Sequence, residues 1–204
     1  MSGAGAGQYT ADQALARLRS GNSRFVRGKA RFPTIQKAVL ANLARGQQPY
    51  ATVLGCSDSR VPPELVFDAG FGELFIVRVA GNVLGPSIVG TLQYAGVHLH
   101  TPLFVVLGHE GCGAVQAALA SKFRGARQRS RIEVLLKNIF PALKGLDGTL
   151  PPEVLMRQAV EANVRHTVRT LLQSPEGKAR VRAGTMKLVG AVYDLHSGRV
   201  RFLE

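Results

Sequence analysis

The sequence predicts an α/β fold built on a mainly parallel central β-sheet, and three observations carry that prediction. Short apolar runs at Ala51–Gly55, Leu74–Val79, Leu103–Leu107 and Lys187–Asp194 recur along the chain with stretches of helical periodicity between them. That alternation buries strands beneath helices on both faces of a sheet. Two of the runs stop abruptly in polar clusters, Cys56-Ser57-Asp58-Ser59-Arg60 and Gly108-His109-Glu110-Gly111-Cys112-Gly113, as a buried strand does when it delivers a loop at its carboxyl end. After the last run, His196-Ser197-Gly198 turns the chain into Arg199–Leu203, a short antiparallel edge strand. The expected sheet has about four parallel strands plus this C-terminal edge strand, flanked by helices and preceded by a projecting N-terminal helical arm.

Taken in order, the first element is a helix over Thr10–Arg27. Ala14, Leu15, Leu18 and Phe25 recur there near helical spacing, and Thr10 with Gln13 forms the pattern of a capping box. Beyond Pro33, Ile35–Arg45 reads as a second helix stopped by Gly46, so residues 1–45 make up the helical arm of a single domain spanning 1–204. Ser87–Leu99 has the periodicity of a crossover helix returning the chain to a parallel neighbour, and Ala114–Lys122 continues as a helix after the second polar cluster. Pro151-Pro152 opens a long helix over about Glu153–Leu172, with Val160, Val164 and Val168 on one face. The stretch Gly125–Gly148 lacks such a pattern and is expected to be a mobile excursion.

Composition narrows the function. At 46% hydrophobic and 19% charged, the chain of 204 residues is globular rather than disordered. Apolar runs such as Leu103–Leu107 and Leu188–Val192 fall far short of the roughly 20 residues a membrane-spanning helix needs, so no membrane partner is expected. Met1–Gly7 carries no basic patch leading into an apolar stretch, which points to the cytoplasm, or to the periplasm if a leader was removed. Lys and Arg outnumber Asp and Glu by 26 to 13, for a formal charge of +13. The excess is diffuse, and its densest part, Lys122–Arg131, has only Phe123 as an aromatic, so no specific nucleic-acid binding is expected. Two cysteines in a chain of this size are not a disulfide framework.

A catalytic zinc site takes three thiolate or imidazole ligands and leaves a fourth place exchangeable. Cys56, His109 and Cys112 supply that number: the latter two lie three apart at one strand-to-helix turn, and Cys56 ends a different strand. A structural site would need a fourth protein ligand, from His98, His100, His166, His196 or Asp58; with water in that place the site is catalytic. One at a time, such residues are more often buried packing than ligands. Together at strand ends, beside Asp58 and Arg60, they point to a metal.

The two clusters resemble the signature motifs of the β-class carbonic anhydrases. The likeness extends through Gly46-Gln47-Gln48-Pro49, Gly72-Glu73-Leu74-Phe75 with Arg78, Gly81-Asn82, Tyr94-Ala95 and Gly190-Ala191-Val192-Tyr193-Asp194, covering about Ala11–Leu203. The resemblance implies that Cys56, His109 and Cys112 ligate Zn2+ and that Asp58 and Arg60 form a catalytic dyad, the guanidinium gripping a carboxylate that accepts a hydrogen bond from zinc-bound hydroxide. It further implies that Gln47, Phe75 and Tyr94 line the carbon dioxide/bicarbonate pocket at a subunit interface, with Gly113 offering backbone near the metal. The implied assembly is a homodimer or homotetramer in which the first helix embraces the partner. His98, His100 and buffer are candidates for removing the proton. Glu110 stands where the family usually has a small polar residue, and Val53 where pH-regulated members carry an aromatic. With Gln47 present, the expected fourth ligand is water rather than Asp58. Two alternatives use the same residues: hydrolysis of carbonyl sulfide or carbon disulfide, and a non-catalytic zinc-stabilised binding module.

Overall fold

The computed structural model describes residues 9–31 and 37–203. Helix α1 (Ala11–Val26) starts where the capping box placed it: the Thr10 hydroxyl accepts from the Gln13 amide at 3.2 Å, and the Gln13 side chain accepts from the Thr10 amide at 2.8 Å. Helix α2 spans Lys37–Leu43, and Ile35, the expected first residue of that helix, lies outside the described residues. Strand β1 (Ala51–Gly55), the short helix α3 (Pro63–Val66), β2 (Leu74–Arg78), α4 (Pro86–Val97) and β3 (Leu103–His109) follow. The chain continues with α5 (Gly113–Arg124), α6 (Arg131–Lys137), α7 (Pro152–Gln173), α8 (Pro175–Arg182), β4 (Lys187–Tyr193) and β5 (Val200–Leu203).

These strands form one sheet in the order β2-β1-β3-β4-β5. The first four are parallel, and β5 pairs antiparallel with β4. From β1 the chain steps outward to β2, then crosses back through α4 to β3 on the other flank of β1, and proceeds to β4. The direction in which strands are added to the sheet therefore reverses between β1 and β3, and the crevice outside their carboxyl ends is where an open α/β sheet binds its ligands. Cys56 follows β1 and His109 ends β3, so both polar clusters open into that crevice.

Both central strands are buried along their whole length, with side chains alternating between two core layers. Leu54, Val106 and Val192 face a layer covered by α4, α5 and α7, which includes Leu92, Val115, Val160 and Val164. Val53, Val105 and Ala191 face the other, closed by Ala14 and Leu18 of α1 and Val66 of α3. Helix α7 fits closely against the sheet because β3 and β4 offer glycines beneath it. A Cβ at Gly108 would lie 2.5 Å from Val164 Cγ2, and one at Gly190 2.8 Å from Val164 Cγ1.

Two expectations need correction. Over residues 11–26 the first helix does not project: Ala14 and Leu18 are fully buried against this chain's own sheet. Asn22 clasps it there, donating to the carbonyls of Val66 (3.1 Å) and Gly198 (2.9 Å) and accepting from the Val200 amide (2.9 Å). The second concerns Gly125–Gly148, which contains α6 and a 3-10 turn at Phe140–Leu143. Leu136, Ile139 and Leu143 are buried in the core beneath α5 and α7, so this excursion is a packed segment. Its apolar residues do not mark one buried helical face, since Leu136 is buried while Ile132 and Val134 of the same short helix stay about half exposed.

Candidate metal centre

Three side chains converge at the carboxyl ends of β1 and β3. Cys56 follows β1 directly, His109 is the last residue of β3, and the turn through Gly111 (φ 62°) brings Cys112 to the N-cap of α5. Glycine suits the left-handed conformation at position 111 because it has no Cβ to clash. The two sulfurs and the imidazole nitrogen lie within 4.8 Å of one another, and all three residues are buried. Cys56 Sγ is 3.9 Å from Cys112 Sγ. That is too long for a disulfide, whose sulfurs sit about 2.05 Å apart. It matches two thiolates sharing one tetrahedral zinc, where arms of about 2.3 Å put the sulfurs about 3.8 Å apart.

The imidazole is oriented for the same purpose. His109 Nδ1 lies 2.9 Å from the Glu110 carbonyl, which can only accept, so Nδ1 carries the proton and Nε2 presents its lone pair. Nε2 is fully buried and has no hydrogen-bond partner, an arrangement that costs about 1–3 kcal/mol unless something completes it. Cys56 Sγ accepts from the Gly81 amide at 3.3 Å. Cys56 is drawn down in pKa chiefly by the hydrogen bond from Cys112, with burial opposing and His109 and the Gly81 amide assisting. Cys112 is pushed up by that same shared hydrogen bond and by burial. A divalent cation between the two sulfurs would take the place of the hydrogen bond they share. Donor set, spacing and unpartnered nitrogen all fit zinc.

Beside the cluster stands the carboxylate. Arg60 grips Asp58 with Nε on Oδ1 (2.9 Å) and a terminal nitrogen on Oδ2 (2.7 Å), and its own backbone amide adds a third bond at 3.0 Å. These bonds, the side-chain fork first, hold the Asp58 carboxyl well below the usual carboxylate range. Asp58 Oδ2 reaches to 3.8 Å from His109 Nε2. Arg78, from the end of β2, donates to the carbonyl of Cys56 at 2.9 Å and to that of Asp58 at 2.6 Å, pinning the loop that carries both.

The remaining expected residues are placed separately. Phe75 on β2 and Tyr94 on α4 form a ring pair with centroids 6.2 Å apart, and Tyr94 also stacks near His98 at 4.9 Å. Tyr94 remains 47% exposed, a large apolar face left open by a single chain. Gly113 begins α5 next to Cys112, with open space where a side chain would stand. Gln47 is exposed in the loop before β1, and among the described residues its amide makes no hydrogen bond. Sequence reasoning missed Asn163 of α7, which donates to the Gly81 carbonyl at 2.8 Å. A signal existed: Asn163 and Thr167 interrupt the apolar face of Val160 and Val164, and both are buried.

Residues 51–200 match the family model described as carbonic anhydrase. Carbonic anhydrase 2 of Mycobacterium tuberculosis is 37% identical over 183 residues, which cover 89% of this chain and 87% of that protein. The carbonic anhydrase of Mycolicibacterium smegmatis is 35% identical over 187 residues, covering 90% and 88%. Among solved structures, the β-carbonic anhydrase CcaA superposes with a TM-score of 0.77 at 26% identity, covering 93% of this chain and 95% of its own. A tetrameric β-carbonic anhydrase of Sordaria macrospora shares the fold, with a TM-score of 0.75 at 24% identity over 90% of this chain and 93% of its own.

Proposed function

The chain belongs to the β-class carbonic anhydrases, zinc enzymes that interconvert carbon dioxide and bicarbonate, and on that premise we propose how its residues divide the work. Cys56, His109 and Cys112 would hold the zinc ion. When bound, zinc acts as a Lewis acid that makes hydroxide available from water near neutral pH, an effect best known from the three-histidine carbonic anhydrases.

Asp58 is the orienting acceptor. Its Oδ2 stands at the edge of the cluster, 3.8 Å from His109 Nε2. Because Arg60 engages both oxygens, the carboxylate stays ionised and aimed. The same fork keeps Asp58 from serving as a ligand itself, which favours the arrangement with solvent in the fourth place. Arg78 keeps Cys56 and Asp58 in fixed relation by binding both carbonyls. Phe75 and Tyr94 supply an apolar wall suited to a small neutral gas, and the Gln47 amide and Gly113 backbone are assigned to the oxygens of carbon dioxide and bicarbonate. In the forward reaction the carbon gains an oxygen from water, a proton departs to solvent, and bicarbonate leaves.

The exposed Tyr94 and its neighbour Val97, 47% and 53% accessible, support a homodimer or a tetramer of dimers in which a second copy closes the pocket. The observation that carries the functional reading is the convergence of two sulfurs and an unpartnered imidazole nitrogen beside a clamped carboxylate. Metal analysis coupled to a carbon dioxide hydration assay tests it. Wild type and Asp58→Asn should both retain zinc, with hydration slowed by about 10²-fold or more in the variant. Zinc retention with no hydratase activity in wild type would reduce the site to a structural one.

A further inference from the structure

We propose that Asn163 of α7 is a positioning residue of the metal centre: by anchoring Gly81 it keeps the Gly81 N–H on the Cys56 sulfur. The route is two hydrogen bonds long. Asn163 Nδ2 donates to the Gly81 carbonyl at 2.8 Å, and the Gly81 amide donates to Cys56 Sγ at 3.3 Å. Gly81 adopts φ 69°, ψ 17°, and a Cβ there would lie 3.0 Å from Ile139 Cδ1 and 3.1 Å from the Ala114 Cβ. Gly81 therefore has no side chain of its own to hold it against the sulfur.

Stability alone does not account for an asparagine here. The residue is 1% exposed, and its Oδ1 has no hydrogen-bond partner. Leaving that oxygen unpaired offsets the modest net gain from the Nδ2 bond. The bond is retained where its geometric consequence falls on a metal ligand, and partners of ligands typically change metal affinity by about 10–100-fold. Thr167, one helical turn along α7, is an internal comparison. It is equally buried and donates to the neighbouring carbonyl of Asn82 at 3.4 Å, but no bond continues from there to a sulfur.

The inference rests on zinc being held by Cys56, His109 and Cys112. Its test is zinc release from the holoenzyme into a colorimetric chelator, with Asn163→Ala set against Thr167→Val. Asn163→Ala should release zinc about 10-fold faster or more, whereas Thr167→Val should stay within about twofold of wild type despite a similar loss of thermal stability. In cobalt-substituted protein, the sulfur-to-metal charge-transfer band should move in Asn163→Ala and not in Thr167→Val. Should Asn163→Ala fail to fold, Asn163→Ser takes its place with the same expected ordering. Wild-type protein that binds no zinc overturns the zinc reading and this inference together. Zinc-replete wild type with Asn163→Ala releasing metal at the wild-type rate, or with both variants accelerating equally, overturns the positioning role alone.

Discussion

Gly108→Ala, with and without Val164→Ala, tests whether the seat of α7 sets the position of the imidazole. An added Cβ would stand 2.5 Å from Val164 Cγ2, against an ordinary carbon contact of about 3.5–4.0 Å. Val164 is fully buried, so it cannot swing into solvent, and either α7 or the end of β3 must yield by about 1 Å. Overpacking of this kind costs about 1–3 kcal/mol. At about 2–4 °C per kcal/mol for a chain of this length, the midpoint of thermal unfolding falls by about 2–12 °C. His109 is the next residue, so the same displacement moves the Nε2 lone pair and weakens zinc retention. Val164→Ala alone should cost about 1.5–3 kcal/mol, mostly through the cavity it opens. In the double variant the new methyl occupies that cavity, so the two losses combine to about 1–2 kcal/mol less than their sum. Thermal unfolding of all four proteins, with zinc content measured on each, gives the coupling. Strict additivity, or a Gly108→Ala protein as stable and zinc-replete as wild type, would show that the close approach of α7 is not what fixes the strand end.

Other perturbations separate the loop from the scaffold. Arg78→Met removes both bonds to the carbonyls of Cys56 and Asp58; since Arg78 is exposed and water can replace it, stability should change by less than about 1 kcal/mol while hydration slows about tenfold, read by stopped flow beside thermal unfolding. Glu161 accepts from Arg201 at 2.7 Å and Arg165 at 3.0 Å, and the Arg201 bond foremost holds its carboxyl below the ordinary glutamate range. A depressed folded-state pKa gives stability that is fully present above the unfolded value of about 4.3 and lost as pH falls through the folded one. Glu161→Gln should thus be less stable by about 0.5–1 kcal/mol at neutral pH, and its unfolding curve should merge with that of wild type once acid has protonated the carboxyl. A stability gap that persists in acid would mean the contribution is not electrostatic.

Much of this architecture could be read before any coordinates, for identifiable reasons. Ala51–Gly55 and Leu103–Leu107 are uninterrupted apolar runs because both faces of a central parallel strand are covered, and the polar residues after them mark where that cover ends. Thr10 and Gln13 announce α1 because a capping box is a local interaction. The docking of α1 was not legible, since Asn22 reaches partners 44 and 176 residues away. Nor was α6, where Leu136 is buried while Ile132 and Val134 of the same seven-residue helix stay exposed, so no apolar face shows in the sequence. At the site, the ligands and the Asp58–Arg60 fork lie in short motifs and were visible. Asn163 acts through Gly81 from the other side of a turn, and only the fold joins them.

The placement of the ligands also decides what the metal does for the fold. Cys56 directly follows a strand whose neighbour ends in His109, and those strands are paired from Ala51 with Leu103 through Gly55 with Leu107 without help from any ion. Cys112 is fixed by α5, which packs on α7. A zinc ion here joins elements that the sheet already holds side by side, so it closes little additional chain entropy, unlike a zinc finger in which metal binding is the folding energy. Removing zinc with a chelator should therefore abolish hydration while leaving the far-ultraviolet circular dichroism unchanged. The unfolding midpoint should fall only by the mass-action stabilisation of a ligand that binds the native state, and should recover as zinc is titrated back. The centre left behind holds two sulfurs 3.9 Å apart and a buried imidazole nitrogen with no partner. It is preorganised for the ion, and an apo protein that lost its secondary structure would show instead that the metal assembles the site rather than fills it.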